Sequence, residues 1–127
     1  MSLDVYPCRI LPDGSFDMVD LPGFNSSAGG EGSRQWLYSS AAVRALGATY
    51  LPRLADRNLL VPPEETLAFL RECGLLLAHL PHLATAATAL TSKTYDELEF
   101  LIESNLVTII AVTHRARREE DWGVMIS

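Results

Sequence analysis

Segment 94–118 constrains the fold more than any other part of the chain. Its apolar or small residues fall at Leu98, Leu101, Ile102, Leu106, Ile109, Ile110, Thr113 and Ala116. Steps of three and four trace one face of an α-helix. Thr94 and Glu97 stand in T-x-x-E spacing at its start, where each side chain can satisfy an orphan N–H of the first turn. The charged run 115–121 ends the helix, and Trp122-Gly123-Val124-Met125-Ile126 reads as a short strand. Val107, Thr108, Ile109, Ile110, Val112 and Thr113 also favour strand, so a hairpin of 106–113 with 122–126 is the alternative. The sustained helical spacing decides for helix.

The remaining elements are less sharply drawn. Residues 5–11 read as a strand, with Pro7 favouring an edge position because proline cannot donate to a ladder. Pro12-Asp13-Gly14 marks a turn, and 15–21 alternate imperfectly, which suggests an antiparallel hairpin. The stretch 22–33, with four glycines, reads as a flexible surface loop. A helix is expected over about 33–46, capped by Ser33 and closed by Gly47 in the left-handed position. Segments 48–55 and 59–61 read as short strands or extended segments around the turn Asp56-Arg57-Asn58. Pro62-Pro63-Glu64-Glu65 starts a helix to about His79, because proline is tolerated there and the carboxylates complement the helix dipole. Pro81 ends or kinks it, and 84–91 reads as a short helix or ordered loop. The sum is an α+β fold: a small, mainly antiparallel sheet with an N-terminal hairpin and a C-terminal strand, packed against about three helices.

A chain of 127 residues with 48% hydrophobic content suits one globular domain, residues 1–127. No run of about eighteen apolar residues suggests a membrane span, and the first residues lack the basic-then-apolar order of a secretory signal. Cys8 and Cys73 are expected as free thiols in a reducing cytoplasm. A net charge of −6, with Lys93 the single lysine, argues against nucleic-acid binding.

Candidate chemistry is sparse. His79 and His82 are three apart, but Pro81 disturbs the geometry that would align them, and no cysteine pair or carboxylate completes a metal set. Gly32-Ser33-Arg34 lacks the Lys-Ser or Lys-Thr of a phosphate loop. Ser33 and Arg34 at a helix start remain candidates for holding an anion. Cys8 has no adjacent activating base, and Cys73 falls on an apolar helix face. Asp13, Asp17 and Asp20 form the nearest approach to a carboxylate cluster and read as solvated turn and edge residues.

The expected function is therefore a non-enzymatic, cytoplasmic module that binds another protein, with no cofactor. One concrete form is an acidic, immunity-type inhibitor that neutralises a basic enzyme. Trp36, Tyr38, Tyr95 and Trp122 are its candidate interface anchors. The alternative is a small ligand-binding domain or enzyme with an anion site near loop 23–33, using Ser33, Arg34, Asp17 and His114. A homodimer becomes the expectation if Val124-Met125-Ile126 forms an unprotected sheet edge.

Overall fold

The computed structural model describes residues 2–127. Five strands, β1 (Ser2–Ile10), β2 (Phe16–Met18), β3 (Ser27–Gly30), β4 (Leu59–Val61) and β5 (Trp122–Ile126), form one antiparallel sheet. Four helices pack with it: α1 (Ala41–Ala45), α2 (Thr66–Ala78), α3 (Leu80–Ala87) and α4 (Tyr95–Ala116). The α+β class expected from the sequence is the class observed.

Helix α4 spans the helical segment as its spacing demands, and 106–113 are helical rather than half of a hairpin. Thr94 Oγ1 accepts from the Glu97 N–H at 3.2 Å, and Glu97 Oε1 accepts from the Thr94 N–H at 3.2 Å. Two orphan donors are thereby satisfied reciprocally. The buried face carries Leu98, Ile102, Leu106, Ile109, Val112 and Ala116. Each large aliphatic side chain so buried contributes about 1.5–3 kcal/mol of transfer free energy before the entropy of ordering is subtracted. These residues meet Leu3 and Val5 of β1, Leu59 and Val61 of β4, and Val124 and Ile126 of β5 in one core.

Strand β5 lies inside the sheet, between β1 and β4. Val5 to Arg9 pair with Ile126 to Trp122, and Leu59 to Val61 pair with Ile126 to Val124. The condition for edge-driven dimerisation through β5 is therefore not met. Gly123 lets β4 approach: a Cβ there would stand 2.3 Å from the Val61 carbonyl oxygen.

The other side of β1 is divided. β2 pairs with Cys8–Ile10, and β3 pairs with Ser2–Asp4, with a bulge between Leu3 and Asp4. Pro7 lies between these two partners. It is thus in an interior strand, not the edge strand its sequence suggested. Its carbonyl accepts from Val19 N–H at 2.9 Å, and the reciprocal bond it cannot donate falls where the β2 ladder ends, before β3 takes over.

Several local expectations are corrected. Stretch 22–33 is not a plain loop: it contains β3, and Ala28 and Ser33 are buried. One of its glycines serves close packing. Gly29 has φ +112°, and a Cβ there would meet Asn105 Nδ2 at 2.7 Å and Ser33 Oγ at 2.8 Å. The helix expected over 33–46 is two pieces, a π-helical turn at Arg34–Tyr38 and α1. Ser40, not Ser33, caps α1, its Oγ accepting from Val43 N–H. Gly47 does take the left-handed conformation after it, with φ +92°. Segment 48–55 ends in a 3-10 turn, Leu51–Ala55, rather than a strand. The cause is Glu72 on α2: its carboxylate accepts from the N–H groups of Thr49, Tyr50 and Leu51 at 2.6–3.2 Å. A carboxylate there completes the orphan donors of a helical start. A further 3-10 turn at Pro63–Glu65 leads into α2, and α3 begins at Leu80, with Pro81 in its first turn.

Candidate functional site

Arg34 and Ser33 occupy positions unlike those expected of an anion cradle. Ser33 is buried, and its hydroxyl donates to the Gly30 carbonyl. The Arg34 guanidinium pairs with Glu31 through Nε and donates from Nη1 to the carbonyls of Leu54 (3.1 Å) and Arg57 (2.8 Å). Nη2 donates to Asn58 Oδ1 at 2.9 Å. The forked donor set is thus engaged in tying the π-turn to the 3-10 turn and the loop after it. Gln35 adds a bond to the Ala55 carbonyl at 2.9 Å. The shallow depression beside Arg34 is lined by Glu31, Ala55, Asp56, Arg57 and Asn58. Neither Asp17 nor His114 lines it. Asp17 stands on β2 opposite Arg9, 3.5 Å from its guanidinium and exposed. His114 is exposed on the last turn of α4.

The four aromatic anchors separate as well. Tyr38 is fully buried and donates its hydroxyl to the Ala28 carbonyl, so it is a core residue and not a surface anchor. Its burial pushes the phenol far above the ordinary tyrosine range. Trp36, Tyr95 and Trp122 are partly buried against the core. The Arg115 guanidinium lies over the Trp122 ring, 4.8 Å from its centre. Tyr95 donates to Glu99 at 2.9 Å, and that bond raises its phenol pKa.

The cysteines are internal. Burial pushes the Cys8 thiol up to about 11 and drives Cys73 higher. Both are thiols, not thiolates, at neutral pH. Among the described residues, no three His, Cys, Asp or Glu side chains converge as a metal site. No helix there is long and apolar enough to cross a membrane.

A concavity lies where the edge of β1 is divided. A cleft of about 610 Å³ opens between the end of β2 and the start of β3. Val5, Pro7 and Val112 line it together with Met18, Val19, Leu21 and Phe24. Its polar groups are the carboxylates of Asp4 and Asp20, with Tyr6, Asn25, Ser26 and Ser127. Tyr6 Oη and Ser127 Oγ lie 3.0 Å apart, and Ser26 Oγ donates to Asp4 at 3.4 Å. Asp4 and Asp20 are both exposed. No lysine, arginine or histidine lines the cleft.

The sequence holds a signal for this region. Between Arg9 and Arg34 there is no Lys, Arg or His, while Asp13, Asp17, Asp20 and Glu31 all fall in that interval. The same interval carries three exposed large apolar side chains, Phe16 (38%), Met18 (65%) and Phe24 (44%). Divided among a turn, the strand 15–21 and the loop 22–33, the coincidence is not visible element by element. Neither a protein-family model, nor a curated protein, nor a solved structure matches the chain.

Proposed function

We propose that this protein is a binding module that recognises a basic partner protein and performs no catalysis of its own. One observation carries the reading. The interval between Arg9 and Arg34 joins Asp13 and Asp20, which have no ion-pair partner among the described residues, exposed Phe16, Met18 and Phe24, and a cleft of about 610 Å³. Exposed aromatic and methionine side chains rimmed by one sign of charge are the elements of a protein interface: the apolar groups hold, and the charges steer and select. An inhibitor that covers the basic surface of an enzyme is the concrete form this takes. A cytoplasmic setting belongs to the same proposal and is supported by the two buried, unpaired thiols.

The test is affinity capture of the tagged protein from a lysate of its source organism, at low and at high salt, with partners identified by mass spectrometry. The recovered partner is then purified, and association is timed across ionic strength. The expected result is one stoichiometric partner of high isoelectric point whose association rate falls steeply with salt. Absence of a partner at both salts, or an association rate indifferent to salt, refutes the reading.

The anion-binding alternative asks for free donors beside the glycine-rich stretch. The engagement of Arg34 with Glu31, Leu54, Arg57 and Asn58 favours the protein-binding reading over it.

A further inference from the structure

We infer that the cleft in the divided edge of β1 receives an arginine side chain carried on an apolar segment of the partner. The inference rests on the protein-binding reading and gives it a location and a chemistry. Three features select the occupant. First, Pro7 in the floor of the cleft offers no N–H, and its carbonyl is already taken by Val19. An added β-strand would find no continuous row of backbone groups there, so an inserted side chain fits where a strand does not. Second, the walls are apolar: Val5, Pro7, Met18, Val19, Leu21, Phe24 and Val112. They suit a stem of methylene groups rather than a small polar ligand. Third, Asp4 and Asp20 are the charged groups of the lining, with no lysine, arginine or histidine side chain among the described residues that line it. Their charge calls for a positive head, and the Ser26 hydroxyl oxygen, which donates its own proton to Asp4, adds an acceptor. Guanidinium fits better than ammonium. It has five donors in a planar fork, is less strongly hydrated, and can lie against an aromatic ring such as Phe24.

The test uses the whole chain labelled with ¹⁵N and two short peptides, acetyl-Leu-Arg-Leu-amide and its citrulline analogue. Citrulline keeps the shape and removes the charge. Binding is followed by amide chemical-shift changes, with and without the paired substitutions Asp4→Asn and Asp20→Asn. Both carboxylates are exposed, so the double variant is expected to fold; its circular dichroism and melting temperature verify this. The expected result is saturable amide shifts confined to the cleft lining, residues 4–6, 18–26, Val112 and Ser127. Affinity should be weaker by on the order of fivefold or more for citrulline and for the double variant. Equal affinity for both peptides, shifts on another surface, or no shifts at all overturns the assignment. The two readings fail separately. A captured partner whose affinity ignores Asp4→Asn/Asp20→Asn leaves the protein-binding function standing and removes the cleft from it. Failure to capture a salt-sensitive partner removes the function.

Discussion

Replacing Gly123 by alanine adds one methyl group at the most crowded backbone crossing in the sheet. Its carbon would lie 2.3 Å from the Val61 carbonyl oxygen and 3.4 Å from Pro62 Cα. Ordinary contact begins near 3.4 Å, so β4 must retreat by about 1 Å. That strand is held to β5 by only three register pairs, Leu59–Ile126, Leu60–Met125 and Val61–Val124. It has little ladder to spare. Overpacking of this kind costs about 1–3 kcal/mol. Alanine recovers roughly 0.5–1 kcal/mol by restricting the unfolded chain. The net expectation is a destabilisation of about 1–2 kcal/mol. In equilibrium urea unfolding this appears as a fall of roughly 0.5–1 M in the midpoint at unchanged slope. Gly74 supplies the control. It lies in the interior of α2, is exposed, and a Cβ there meets nothing within 4 Å. Gly74→Ala should therefore stabilise by about 0.5–1 kcal/mol. The reasoning is refuted if Gly123→Ala leaves the midpoint unchanged or raises it, since glycine would then be only a flexible residue in a strand.

Arg34→Lys should destabilise by about 1–3 kcal/mol, because one ammonium cannot reach the Leu54, Arg57 and Asn58 acceptors together. Thermal unfolding checks this, and an unchanged melting temperature would show that the clamp is dispensable. Cys8 and Cys73 should resist a thiol reagent at neutral pH in the native protein and react fully in denaturant; fast native labelling would contradict their burial. Thr94→Ala should cost about 1 kcal/mol by removing the helix cap, measured by urea unfolding. The Glu97 carboxyl is held below its ordinary value by the Thr94 backbone and side-chain hydrogen bonds, and Asp13 by those of Ser15. A depressed folded-state pKa gives a contribution present above the unfolded value and lost as pH falls through the folded one. Stability should thus decline as pH falls below about 4.5. Carbon-detected titration should place Glu97 higher in Thr94→Ala than in the parent; an unmoved titration would sink the attribution.

The parts of the fold legible in the sequence are those fixed by local rules. The period of 94–118, its T-x-x-E start and the apolar end strand all carried through, because burial pattern and capping agreed there. Gly47 was legible for the same reason. What escaped depends on distant partners. Glu72 looks like one more surface acid on a helix, yet it organises a turn 21–23 residues away. Gly29 looks like flexibility until Asn105 is placed beside it. Tyr38 reads as exposed until the Ala28 carbonyl arrives to accept its hydroxyl. Pro7 suggests an outer edge because it cannot donate to a ladder, whereas β1 is an interior strand and Pro7 sits at the break between β2 and β3. The cleft was illegible because its walls come from β1, the β2–β3 connection and α4 together. Only the lack of positive charge between Arg9 and Arg34 pointed to it.

The pairing of β1 with β5 has a consequence for how the molecule comes into being. Tyr6 and Ser127, which meet across it, are 121 positions apart. During synthesis β1 emerges before the helices and cannot find β5 until the residues between them, 11–121, have been made. Helices α2, α3 and α4 can form in the meantime from local bonds, but the face they must cover stays unassembled. Pairing of β5 with both β1 and β4 therefore waits on the synthesis of β5. A ribosome stalled before β5 would carry a nascent chain with helices and an orphan strand, a natural client for a chaperone. Any partner that reads the finished cleft would find nothing to hold until translation had passed Trp122.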